Sequence, residues 1–216
     1  ENFRPGTLER WGLSYEDLAA INPRLVMLRV TGFGQDGPYR DKPGFGTMTE
    51  ALSGFAHMTG FPDGPPVLPP IALVDKITSL VGAFAVMTAL YERDVQGSGR
   101  GQYIDLNLLE PIFHILGPHV IEYDQLGHIA MRSGNRSPSS APRNCYRTKD
   151  GRWLAMSGST PATAERIMRS VDPELPKDPR FVDAQSRREN SDALDRIIEE
   201  WCASKTLDEA MAVFEA

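Results

Sequence analysis

The chain has 216 residues, room for one substantial domain or one domain and part of another, and its 41% hydrophobic and 24% charged content excludes wholesale disorder and fibrous architectures. A formal net charge of −6 and a pI near 5.3 exclude the overall basic footprint of a nucleic-acid or anionic-membrane binder, so neither partner is expected. With 19 glycines and 17 prolines the backbone must make many turns, which points to a loop-rich α/β protein.

The first segment, Glu1-Asn2-Phe3-Arg4-Pro5-Gly6, reads as loop and lacks an initiating Met, so the chain is expected to be a piece of something longer. Ser14 is placed to cap a short helix carrying Leu18 and Ile21, which Asn22-Pro23 ends. The apolar run Leu25 to Val30 predicts a buried strand. Directly after it comes Gly32-Phe33-Gly34-Gln35-Asp36-Gly37, the spacing of a dinucleotide-binding loop. That motif needs a helix at its last glycine, which Pro38 and Pro43-Gly44 forbid, and its acidic partner ~20 residues on falls at Asp63, in proline-rich loop. A loop that lets two backbone segments approach closely is the better reading. Thr47 and Glu50 have capping-box spacing and predict one helix with Met48, Leu52, Phe55 and Met58 on a shared face.

From Asp75 onward Ile77, Leu80, Val81, Phe84, Val86, Met87 and Leu90 cover a broad apolar face at helical spacing, predicting a nearly buried helix that stops around Gly97 to Gly101. Its uninterrupted apolar stretch, Leu80 to Leu90, contains Gly82 and Thr88 and is shorter than the ~18–20 residues of a membrane span, so no span is expected. Tyr103 to Leu108 alternates as a strand, and Pro111 starts a helix running to about Leu126. A polar loop from Gly134 to Arg143 precedes Cys145 to Thr148 and Arg152 to Met156, two strands joined through the turn Lys149-Asp150-Gly151. Charged amphipathic helices follow, opened by Thr160-Pro161, by Ser191 and by the Thr206/Glu209 capping box, the last still running at Ala216.

Cys145 and Cys202 cannot build a disulfide framework, and with no signal-peptide pattern a reducing cytoplasm is expected. His57, His114, His119 and His128 are too scattered for a zinc pattern, so no metal is expected, and neither a G-x-S-x-G elbow nor a Walker loop occurs. Asp75 stands apart, at the junction of the apolar loop Pro69 to Val74 and a nearly all-apolar helix. From spacing alone it is either a helix N-cap or a carboxylate held ionised and reactive at the positive helix end.

Taken together, several segments resemble the family III CoA-transferases (the CaiB/BaiF type, which includes formyl-CoA transferase and α-methylacyl-CoA racemase). The resemblance rests on Glu1 to Gly6, Asn22-Pro23-Arg24-Leu25, Gly32 to Pro38, Thr59-Gly60, Pro62-Asp63-Gly64, Asp75, Gly99-Arg100-Gly101-Gln102 and Asp150-Gly151-Arg152-Trp153. It implies an α/β fold: a Rossmann-like CoA-binding and catalytic domain, present in part as residues 1–130, and a smaller α+β domain, residues 131–216, truncated at its C-terminal end. It also implies an interlocked homodimer. Asp75 aligns with the aspartate that attacks the acyl-CoA thioester, while Asn2, Phe3 and Arg10 align with positions that contact CoA. Phe45, Gly46, Gly134 and Asn135 fall in the substrate loops. The resemblance further implies CoA and acyl-CoA as substrates and a small carboxylic acid as acceptor, with no tightly bound cofactor expected.

Two departures from the family pattern matter. Racemases of the family carry a histidine where this chain has Phe45, and phenylalanine cannot exchange protons, so CoA transfer is expected over racemisation. The glycine run of formyl-CoA transferase is replaced by Gly134-Asn135-Arg136-Ser137-Pro138, so a different acceptor acid is expected. The competing readings are a racemase and an inactive fragment or assembly module.

Overall fold

The computed structural model describes residues 1–215, and the chain divides into two compact units. One comprises Glu1–Gly60 and Gly64–Arg132, the other Phe61–Asp63 and the chain from Ser133 onward.

In the first unit, α1 (Thr7–Arg10) and α2 (Tyr15–Ile21) lead into strand β1 (Met27–Thr31). Ser14 caps α2 by accepting the Asp17 N–H at 3.1 Å. β1 pairs in parallel with β2 (Tyr103–Asn107), from Met27 opposite Tyr103 to Thr31 opposite Asn107. Parallel pairing requires a crossover, supplied here by α3 (Gly46–Leu52), α4 (Phe55–Met58) and α5 (Leu73–Asp94). Val74, Thr78, Gly82 and Ala89 form the buried stripe of α5. Gly82 brings it close, since a Cβ there would lie 3.0 Å from Leu28 Cδ2 and 3.2 Å from Leu106 Cδ2. Val74, Leu108 and Ile112 make a small core, joined by Val30 and Phe55.

Buried Arg29 on β1 bonds Glu1 and Glu9. Burial alone would lower its pKa, but the hydrogen bonds to the two carboxylates outweigh that and raise it. The same contact, led by the hydrogen bond from Arg29, holds the Glu9 carboxyl below the usual range and ties α1 to the sheet.

Several local expectations change. The predicted helix from Thr47 is two, because Gly54 takes φ +90° and breaks it, and the first begins at Gly46 with Phe45 as N-cap, leaving Thr47 inside. The predicted helix from Pro111 is also two, α6 (Leu109–Ile115) and α7 (His119–Leu126), separated around Gly117 with φ +70°. Largest is the correction to α5: it is not nearly buried, since Leu80 is 74% and Phe84 75% exposed. Its 22 residues, with a mean hydropathy of 1.6 in the most apolar window, are long and apolar enough to cross a membrane by length and composition. The sequence expectation counted only uninterrupted apolar residues and so missed this.

The second unit is built on an antiparallel hairpin, β3 (Arg143–Arg147) and β4 (Trp153–Ser157), which shares its core with α8 (Pro161–Val171), α10 (Ser191–Ala203) and α11 (Leu207–Glu215), while α9 (Ala184–Glu189) packs on α10. Met168, Phe181, Leu194, Ile198 and Cys202 are fully or almost fully buried in its core. Thr160 caps α8 and Asp183 caps α9, while α10 starts after Asn190 rather than with Ser191 as its cap. Thr206 and Glu209 do form the reciprocal capping box. Whether the last helix continues at Ala216 lies outside the described residues. Within the core Asp195 accepts from Tyr146 Oη at 2.6 Å, Arg136 Nε at 2.6 Å and Asn144 Nδ2 at 2.9 Å, so this buried carboxylate is well partnered.

Candidate active site

The glycine loop does what close approach requires. A Cβ on Gly32 would lie 2.4 Å from the Gly44 Cα, and one on Gly44 2.5 Å from the Gly32 Cα, so the two backbones cross in direct contact. No helix opens at Gly37, whose φ is +82°. Instead the chain loops out through Tyr39 to Pro43 and returns under Gly32 to start α3. Phe45 and Gly46 are thereby delivered to the start of α5.

There Asp75 occupies the first turn, three residues after the N-cap Ala72, which makes no side-chain cap bond. Asp75 is therefore not the cap. Its side chain is exposed, and among the described residues its carboxylate has no hydrogen-bond or ion-pair partner. A Cβ on Gly46 would stand 2.6 Å from Asp75 Oδ2, so the absence of a side chain at 46 keeps one side of the carboxylate clear. At the start of a 22-residue helix the peptide dipoles favour negative charge, which suits both a carboxylate and developing oxyanions.

Asp75 opens into a cavity of ≈ 410 Å³ lined by Asn2, Phe3, Phe45 and, among others, the cations Arg4, Arg40 and Lys42. That size falls within the usual ~300–1,000 Å³ of ligand sites. Arg4 is steadied by a 2.9 Å bond to the Asp41 carbonyl, and the Lys42 ammonium sits 3.7 Å from the centre of the Tyr39 ring. Phe45 is 70% exposed and walls the cavity. A neighbouring cleft of ≈ 590 Å³ shares Pro5 and Arg40 with it and reaches Tyr15, Arg29 and Tyr103. Arg40 also pairs with the Asp41 carboxylate at 3.4 Å, and with Arg4 and Lys42 it leaves the lining net positive, a charge balance that favours anionic groups.

Asp75, Phe45, Asn2 and Phe3 are thus brought together, with Gly46 packed behind the carboxylate. Arg10 does not line this cavity and hydrogen-bonds Thr7 Oγ1 at 2.9 Å. Gly134 and Asn135 belong to the second unit, where a Cβ on Gly134 would meet the Phe61 ring at 2.8 Å. Arg4, Arg40 and Lys42 were missed as site residues. The charged run Tyr39-Arg40-Asp41-Lys42, placed between Gly37 and Gly44, was the available signal. Among the described residues no group of His, Cys, Asp and Glu is arranged to hold a metal ion.

The first unit thus sets an acidic side chain in a cation-lined cavity beside a parallel strand pair and a glycine crossing. The chain belongs to CoA-transferase family III, whose family model matches residues 1–216. It is 42% identical over its whole length to succinyl-CoA–D-citramalate CoA-transferase of Chloroflexus aurantiacus, covering 53% of that protein. It is 43% identical over 213 residues to the α subunit of succinyl-CoA–L-malate CoA-transferase of the same organism, covering 98% of this chain and 49% of that protein. Among solved structures, a CaiB/BaiF family protein from Brucella suis superposes with a TM-score of 0.81 at 32% identity, over 100% of this chain and 57% of that one. Rv3272 from Mycobacterium tuberculosis gives 0.84 at 27%, over 99% and 56%. The chain thus spans about half the length of the curated relatives it matches.

Proposed function

We propose that the protein carrying this chain is a CoA-transferase that moves CoA from an acyl-CoA donor to a small carboxylic acid, with Asp75 as the covalent nucleophile. The observation that carries the proposal is the Asp75 carboxylate, without a partner among the described residues, in a cavity with Arg4, Arg40 and Lys42. The carboxylate attacks the thioester carbonyl, the C–S bond breaks, and CoA thiolate leaves an acyl-aspartyl anhydride. The thiolate then attacks the aspartyl carbonyl, the donor acid departs as carboxylate, and an aspartyl-CoA thioester forms. The acceptor carboxylate repeats the sequence in reverse, regenerating Asp75 and releasing the new acyl-CoA. Each difficult acyl exchange is split into easier steps.

The relatives named for succinyl-CoA make it the first donor to test, with hydroxy dicarboxylic acids as acceptors. Phe45 beside Asp75 supports transfer over racemisation, since it offers no second proton-exchanging group. The proposal includes an interlocked homodimer in the cytoplasm, a compartment that suits the free thiols Cys145 and Cys202. The test is hydroxylamine trapping in the full-length protein: succinyl-CoA should yield a hydroxamate at Asp75, and none in Asp75→Asn. An Asp75→Asn protein that still exchanges CoA at the parent rate sinks the proposal.

A further inference from the structure

We infer that Asp105 is a positioning residue for the Asp75 site, acting through the backbone of the glycine loop; this rests on the reading of Asp75 given above. Asp105 lies on β2 with Arg29 as its partner in the strand register, yet the Arg29 guanidinium bonds Glu1 and Glu9. The bond Asp105 makes is to the main chain: its Oδ2 accepts the Gln35 N–H at 2.9 Å, across 70 residues of sequence. The loop is gripped beside it by Thr31 Oγ1, which accepts the Gly34 N–H at 2.9 Å. Gly34 takes φ +90°, and a Cβ there would sit 3.4 Å from Asp105 Oδ2, so the loop is folded directly over this carboxylate.

The anchored loop meets Gly44 through Gly32, Gly44 leads into Phe45 and Gly46, and Gly46 abuts Asp75. The Gly32–Gly44 link is main chain against main chain, and Gly46 meets the Asp75 carboxylate with no room for a Cβ between them, so a displacement of the loop is passed toward Asp75 instead of absorbed. Asp105 is not among the residues that line the cavity, and its effect on the reaction is the placement of Phe45, Gly46 and the cation-bearing segment 40–42.

The experiment compares Asp105→Ala and Asp105→Asn in the full-length protein. Asparagine keeps an acceptor oxygen for the Gln35 N–H and alanine does not. Backbone amide exchange of peptides covering 32–46 should rise in Asp105→Ala and stay near the parent level in Asp105→Asn. In the alanine variant kcat for CoA exchange should fall by on the order of a hundredfold, the scale of a ~1 Å misplacement of a reacting group. It should be largely restored in the asparagine variant, with the melting midpoint of both close to the parent. Parent-like kcat in Asp105→Ala overturns the inference, as does equal loss in both variants or a loss matched by unfolding. If Asp75→Asn remains active, the nucleophile assignment fails separately, and the amide-exchange arm still decides whether Asp105 anchors the loop.

Discussion

Gly46→Ala separates the geometry of the carboxylate from the stability of the fold. Gly46 is the first residue of α3 and does not have a positive φ, so alanine fits its backbone and gains up to about 1 kcal/mol of helix propensity. The added Cβ meets Asp75 Oδ2 at 2.6 Å, Asp75 Cγ at 3.5 Å and Val74 Cβ at 3.7 Å. The last two are ordinary contacts, so only the carboxylate oxygen must move, by roughly 1 Å to reach the ~3.5 Å separation of favourable packing. Turning a short, exposed side chain that far off its rotamer costs about 0.5–1.5 kcal/mol. The two effects nearly cancel, and the unfolding free energy should stay within about 1 kcal/mol of the parent. With Asp75 as the nucleophile proposed above, a displacement of ~1 Å costs on the order of a hundredfold in rate. Urea unfolding and steady-state CoA exchange, measured on the full-length protein, give the two numbers. Parent-like turnover, or a stability loss above about 2 kcal/mol, would refute the placement of Gly46 against Asp75.

Tyr146→Phe removes the 2.6 Å bond from a buried hydroxyl to Asp195 and should cost about 1.5–3 kcal/mol in urea unfolding; a neutral result would mean the contact is absent in solution. The Asp150 carboxyl is held at about 2 by the Thr148 hydroxyl, by Arg152 and by the Leu207 N–H. A depressed carboxyl stabilises the fold above its unfolded value near ~4, and that contribution disappears as pH falls through about 2. The urea midpoint should therefore drop over this window less steeply in Asp150→Asn than in the parent, and identical profiles would count against it. Ile112→Ala, in the fully buried core, should cost about 2–5 kcal/mol, whereas Phe84→Ser, 75% exposed on α5, should change the stability of this chain by less than about 0.5 kcal/mol. Equal effects in thermal melts would show that α5 is covered within the chain.

What was legible in the sequence was local chemistry. Ser14, Thr160 and the Thr206/Glu209 box act as caps because a side-chain oxygen three residues from an orphan N–H needs no tertiary help. The hairpin around Asp150-Gly151 and the strands near Met27 and Tyr103 were equally readable, and so was the lack of a helix opening at Gly37. The breaks at Gly54 and Gly117 were not, because a lone glycine in an apolar repeat is compatible with a continuing helix until packing decides. Periodicity showed that α5 has an apolar face, but not whether anything within this chain lies against it. Asp75 and Phe45 were identified through the family resemblance, whereas Arg40 and Lys42 became visible only when the loop was seen to fold back beneath Gly32.

That fold-back divides the chain into parts that need not change together. Because Gly32 and Gly44 meet main chain to main chain, residues 33–43 leave and return through a single closed neck. Whatever lies outward of the anchored Gly34 and Gln35, including the positive charges at 40 and 42, can be lengthened, shortened or recoloured while neck and anchor together keep Gly46 beside Asp75. For the CoA-transferase proposed above, a change of acceptor acid would then take only the exchange of a surface cassette, with the Asp75 site left in place. The neck itself tolerates only glycine at both positions, so variation among proteins built this way should be dense between these two positions and almost nil at them.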